Sequence, residues 1–212
     1  MGRGYPRSGL TQADVYFTAR GPLARLAAPF AERARRRRHV RFFPALPRDA
    51  RVLDVGCGPL GLRALEPELD ITGVDIRPQP SYPGPFVQAD PTDGLPFAAD
   101  EFDLVYCSSV IEHVPPARRA RFAAELRRVG RGWLVQTPAY SFPIEPHSLL
   151  PAAHWLPPAP RRRYWRFGSA GGWEQISLLR RRELESLFGP ARAERVGPLA
   201  KSWVCIVSPS GD

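Results

Sequence analysis

The chain has 212 residues, enough for one domain with a sizeable core, and its hydrophobic content of 43% is ordinary for a globular protein. No apolar run approaches the roughly 18–20 residues needed to cross a bilayer. The formal charge is +9, but Lys201 is the sole lysine among 30 cations and the chain carries 25 prolines, so the arginine excess reads as compositional background and argues only weakly for a nucleic-acid partner.

The start, Met1-Gly-Arg-Gly-Tyr5, lacks the apolar centre of a signal peptide. Cys57, Cys107 and Cys205 show no metal-ligand spacing, and an odd count argues against a disulfide framework. These features predict a cytoplasmic protein without a bound metal. Residues 1–47 read as a helical cover. A loose segment to residue 12 precedes a helical pattern from Asp14 to Val40, which Gly21-Pro22 and Pro29 should interrupt. Tyr5, Tyr16 and Phe17 are lid candidates, with packing against the sheet edge as the alternative.

Residues 48–137 carry the main signal. Arg51-Val-Leu-Asp-Val-Gly-Cys-Gly-Pro-Leu-Gly61 is a short buried strand running into a glycine-rich turn, with Pro59 expected to open a short helix. Gly56, Gly58 and Gly61 fit a dinucleotide fingerprint, yet Asp54 stands two residues before the first glycine, where it would repel a pyrophosphate. A ligand with ammonium and sulfonium charges gains from the same carboxylate. Asp70–Asp75 reads as a second strand, with Asp75 placed to take ribose hydroxyls. Residues 77–85 are too rich in proline for a helix. Phe86–Asp90 is a third strand whose terminal acid can accept from an adenine amino group, and Glu101–Ser109 is a fourth. Pro116 starts a helix to Val129, and Gly132–Thr137 is a fifth strand.

Residues 138–176, rich in proline, aromatics and arginine, are too long for an ordinary connection. In the closing segment, 177–212, Ser177 should cap a helix from Leu178 to Phe188, followed by a hairpin of Ala191–Val196 and Ser202–Val207. Arginines cluster at Arg33–Arg38, Arg161–Arg163 and Arg180–Arg182, either as solvated faces or as a surface for anionic groups.

The motifs Val52-Leu-Asp-Val-Gly-Cys-Gly58, Gly73-Val-Asp75, Ala89-Asp90 with Leu95-Pro-Phe97, and Phe102-Asp-Leu-Val with Glu112-His-Val114 together resemble the class I S-adenosylmethionine (AdoMet)-dependent methyltransferases, in particular the small type-11-like group. The resemblance implies a single Rossmann-like α/β domain, a doubly wound, mostly parallel seven-stranded sheet in the order 3-2-1-4-5-7-6 with the last strand antiparallel. It further implies AdoMet as cofactor, bound by Asp54, Gly56, Cys57, Gly58, Asp75, Ile76, Asp90, Pro91, Cys107, Ser108 and His113.

Methyl transfer needs a base only if the acceptor arrives protonated. His147 and His113 are the candidates, with Tyr140, Phe142, Glu145 and His147 as acceptor contacts. Glu145 and His147 sit two apart in a proline-stiffened loop, and the alternative for either histidine is a purely structural role. His39 is expected to be exposed, and His154 to lack a partner. The expected acceptor is a small or medium-sized metabolite, glycan or lipid precursor methylated on O or N, under an apolar lid that includes Trp155, Tyr164, Trp165 and Trp173. Those aromatics also suit a core or a homodimer contact. Tyr106-Cys-Ser-Ser109 lacks the Asn/Asp-Pro-Pro-aromatic signature of nucleic-acid amino-methylating enzymes, although the arginine–aromatic mixture of Arg161–Trp165 keeps RNA as an alternative. A non-catalytic AdoMet-binding regulator is the other.

Overall fold

The computed structural model describes residues 22–168, 174 and 176–209. Seven strands form one sheet: β1 (Arg51–Val55), β2 (Asp70–Asp75), β3 (Phe86–Gln88), β4 (Phe102–Ser108), β5 (Gly130–Pro138), β6 (Ala191–Val196) and β7 (Leu199–Val207). Their order is β3-β2-β1-β4-β5-β7-β6, as expected. β1 pairs in parallel with β2 and β4, and β7 runs antiparallel to both β5 and β6.

Both faces of the sheet are covered, which is why its central strands are apolar almost throughout. Leu53 and Val55 pack on one face with Val105 and Cys107, beneath α2 (Arg119–Val129) and α4 (Arg181–Phe188). From these helices Phe122, Leu126, Leu184 and Phe188 are almost wholly enclosed, each burial contributing roughly 1.5–3 kcal/mol. Val52, Leu104, Tyr106 and Val204 face the other way, onto Phe42 and Leu62. Phe42 ends α1 (Pro22–Phe42).

Several expectations need correction. α1 continues through Pro29, which lies on its exposed side, where water can satisfy the carbonyl left by the missing N–H. Pro59 opens no helix; one 3₁₀ turn forms later, at Leu62–Ala64. Ser177 does not cap the last helix. Its N–H donates to the Glu112 carbonyl, Leu179 bridges to Ala139, and α4 begins only at Arg181. Tertiary pairing holds this stretch against its neighbours before the helix begins.

The segment 77–85 is irregular, as its prolines require. Tyr82 packs closely on β2: a Cβ on Gly73 would come within 2.6 Å of its ring. Within 138–168, a 3₁₀ turn (Ala153–Trp155) and α3 (Pro158–Trp165) pack around Leu150, Ala153 and Trp165. No helix among the described residues is long and apolar enough to cross a membrane. Tyr5, Tyr16, Phe17 and Trp173 lie outside the described residues.

Candidate active site

A crevice of about 500 Å³ opens at the carboxyl ends of β1, β2 and β4, the place where ligands enter open α/β sheets. Its floor is the turn after β1. Gly56 has φ +71°, and a Cβ there would sit 2.3 Å from Val110 Cγ2, so only glycine lets the two loops meet. At Gly61 (φ +51°, ψ −145°) a Cβ would fall 2.0 Å from the Asp54 carboxylate. Backbone and acid therefore interlock. Asp54 Oδ2 accepts the Leu62 N–H at 2.6 Å. Burial raises the Asp54 pKa to about 6, with the Leu62 N–H and the Arg35 charge opposing the shift.

Asp75 turns its carboxylate to the same floor, accepting from the Gly58 N–H at 3.1 Å and the Arg77 N–H at 3.0 Å. Each oxygen retains a lone pair for a ligand hydroxyl. Asp90 accepts the N–H and hydroxyl of Thr92, which fixes it at the rim as the acid of a tight turn. Ile76 and Pro91 also line the crevice, and so do Cys57 and Ser108. Burial pushes the Cys57 thiol up, away from thiolate chemistry. Cys107 is not among the lining residues and packs wholly in the core.

Sequence reading missed two wall arginines and a residue buried behind the wall. Arg35 and Arg38 reach into the crevice from α1, and Arg35 donates to the Gly61 carbonyl. Both lie in a run of arginines whose pattern resembles a solvated face, so only packing distinguishes them. Gln136, almost fully buried on β5, accepts from the hydroxyls of Ser108 and Ser109. Ser109 holds φ +61°, an uncommon conformation for a residue with a Cβ, and its N–H donates to the Gln136 carbonyl.

At the far end stand His113 and His147, with ring centroids 5.0 Å apart and planes nearly perpendicular. His147 Nδ1 lies 2.7 Å from Glu145 Oε1. Glu145 is itself buried, and its Oε2 accepts the N–H groups of His147 and Ser148. Burial disfavours charge on both groups. The hydrogen bonds and mutual attraction outweigh it, holding His147 above its ordinary pKa and Glu145 below its own.

Glu112, adjacent to His113 and fully enclosed, accepts the Thr137 hydroxyl at 2.9 Å. Arg119, also buried, clamps this end by donating to the Val114 and Ser177 carbonyls and pairing with Glu183. Tyr140, Phe142 and Glu145 are not among the lining residues; Arg180 stacks on the Tyr140 ring, and Glu145 lies behind His147. His154 has a partner after all, the Tyr140 carbonyl at 2.9 Å. His39 is largely buried, 2.6 Å from Glu66.

A model of the methyltransferase-domain family matches residues 27–191, more than three quarters of the chain. The chain belongs to that family. It is a class I methyltransferase, and AdoMet is its expected cofactor. No curated protein matches the chain. Among solved structures, the PH0226 protein of Pyrococcus horikoshii is similar at 17% identity and a TM-score of 0.57, over 85% of this chain and 91% of that one. An AdoMet-dependent methyltransferase of Methanosarcina mazei is similar at 19% identity and a TM-score of 0.49, over 76% and 92%. At 17% identity the Pyrococcus likeness speaks to the fold alone.

The methyltransferase crevice suits its expected cofactor on the structure's own terms. A Cβ on Gly58 would meet nothing within 4 Å among the described residues, so the backbone lies open to a ligand. Two carboxylates face that opening, and the volume is that of a site for a ligand of this size.

Proposed function

We propose that this methyltransferase moves the methyl group of AdoMet to an oxygen or nitrogen atom of a small or medium-sized acceptor. One observation carries the reading: the glycine turn with Asp54 and Asp75 shares a single crevice with His113 and His147. Asp75 takes the ribose hydroxyls, and Asp90 with Pro91 and Ile76 receives the adenine. Gly56, Cys57, Gly58 and Ser108 bound the methionine portion, whose ammonium group gains from Asp54.

Bound AdoMet supplies an electrophilic methyl on a sulfonium, whose thioether leaves without needing an acid. Alignment against this carbon accounts for much of the acceleration, up to ~7–11 kcal/mol in favourable cases. The protein's part is to hold the acceptor in line and accept its proton. In this reading an imidazole of the His113–His147 pair takes the proton, and Glu145 acts through His147 as a positioning residue. Packing of Trp165 into the small cluster around Leu150 removes the main aromatic that an RNA-stacking segment would present.

Calorimetry with AdoMet and S-adenosylhomocysteine (AdoHcy), followed by AdoHcy release in the presence of hydroxyl-bearing and amine-bearing acceptors, tests the proposal. Saturable binding of both nucleosides with acceptor-dependent release is expected. Silence with both nucleosides would overturn it.

A further inference from the structure

We propose that the acceptor end of the crevice binds a divalent first-row transition-metal ion through Glu112, His113 and His147. The inference rests on the methyl-transfer reading above and deepens it, because such an ion receives the acceptor as a hydroxyl. One ligand atom from each residue lies within 4.8 Å of the other two. Glu112 and His113 are neighbours in the 3₁₀ turn after β4, and His147 comes from the loop after β5.

Glu112 provides the first argument. Its Oε2 accepts the Thr137 hydroxyl, but Oε1, equally shielded from solvent, has no hydrogen-bond partner among the described residues. Leaving a buried acceptor unsatisfied is unfavourable, and more so for a charged group. A cation between the two imidazoles and this carboxylate would supply the missing partner.

His147 provides the second. A ring whose Nδ1–H donates to a buried carboxylate presents Nε2 as its metal-binding nitrogen, and that carboxylate–imidazole arrangement is how proteins orient such ligands. Glu145 is in turn fixed by two backbone N–H groups, so the ring's supporting shell is already built.

The ligand set narrows the ion. Two imidazoles and one carboxylate suit Mn²⁺, Fe²⁺, Co²⁺ or Zn²⁺ better than the all-oxygen preferences of Ca²⁺ and Mg²⁺. Three protein ligands leave coordination positions open, as catalytic sites require. With metal–ligand bonds of about 2.0–2.2 Å, ligand atoms around a tetrahedral ion stand about 3.4 Å apart. The trio therefore closes on an ion by a contraction of at most about 1.4 Å, which the exposed His113 can make.

A hydroxyl oxygen on an open position becomes more acidic. Its O–H bond breaks and the proton passes to solvent at the crevice mouth. The oxygen–methyl bond then forms as the sulfur–methyl bond breaks, and sulfur keeps the electron pair. The metal does not change oxidation state. With the ion bound both rings are ligands, and the imidazole base of the metal-free reading is no longer needed.

Co²⁺ titrated into the purified protein tests the site without any turnover. The expected result is a visible d–d absorption band saturating at one ion per chain and displaced by Zn²⁺. His113→Ala, at an exposed position where folding is not at risk, should weaken binding at least tenfold, and Glu112→Gln and His147→Ala should do the same. Glu145→Gln should weaken it by about tenfold through the ring it supports. AdoHcy calorimetry on each variant reports separately whether the crevice has formed. No saturable band in the unaltered protein, or Co²⁺ affinity unchanged in the His113→Ala/His147→Ala double variant, would overturn the inference. Co²⁺ binding with AdoHcy silence would support the metal site while overturning the cofactor assignment.

Discussion

The two ends of the crevice are built on different principles. Where the cofactor's methionine portion is expected the chemistry is local: Asp54, Gly56, Gly58 and Gly61 lie within eight residues, and the backbone itself forms the surface. At the acceptor end the chemistry is assembled from afar. Behind His113 and His147, which line it, Glu112, Gln136 and Ser177 come from three separate segments, held by hydrogen bonds and by the Arg119 clamp. A local motif fixes a ligand class, whereas an assembled wall can change without disturbing it.

The sharpest way to break the comparison is to attack the cofactor end at one atom. Gly61→Val puts a β-branched side chain at φ +51° with its Cβ 2.0 Å from Asp54 Oδ2, so AdoHcy affinity should fall more than a hundredfold in calorimetry. Retained affinity would mean that the interlock of backbone and acid does not matter.

Asp54→Asn is next. A buried carboxyl raised from 3.8 to about 6 favours the folded state while protonated, and that contribution is lost as pH rises through the folded value. The cofactor-free protein should therefore lose up to about 3 kcal/mol between pH 4 and 7 from this group. In Asp54→Asn that part of the slope should vanish in denaturant titrations, while AdoHcy binds about tenfold more weakly.

Glu145→Gln acts at the other end. In the metal-free protein the raised His147 contributes stability below its ordinary 6.5, which is lost as pH climbs through its folded value. The lowered Glu145 contributes above its ordinary 4.5, which is lost as pH falls through its folded value. The stability gap between the unaltered protein and Glu145→Gln should peak near pH 5–6, at about 1–2 kcal/mol, and shrink on both sides. AdoHcy affinity should stay within about twofold, because Glu145 lies outside the crevice lining. The smallest effect belongs to Ser177→Ala. A lost helix cap would cost about 1 kcal/mol, but Ser177 serves through its backbone, so the melting curve should report less than about 0.5 kcal/mol.

What could be read from the sequence follows the same division. Strand order came with the family resemblance, whereas the glycine turn and the acids at strand ends were legible because each depends on neighbours in the chain or on a regular period. Glu112 and His113 stood in a quoted motif, yet their convergence with His147 depends on how far the 138–168 segment folds back. That path is set by the Ile144–Pro151 bridge and the His154 contact to Tyr140, which no period announces. The late start of α4 has the same origin, since the pairing of Leu179 with Ala139 overrides a favourable capping residue.

Arg35 has one more consequence. By donating to the Gly61 carbonyl it joins the covering helix to the cofactor turn through a single flexible arm rather than a backbone ladder. The crevice thus has a rotatable cationic post on one side and the rigid carboxyl ends of β1, β2 and β4 on the other. Shortening that arm would loosen the join between helix and turn while leaving the seven strands intact.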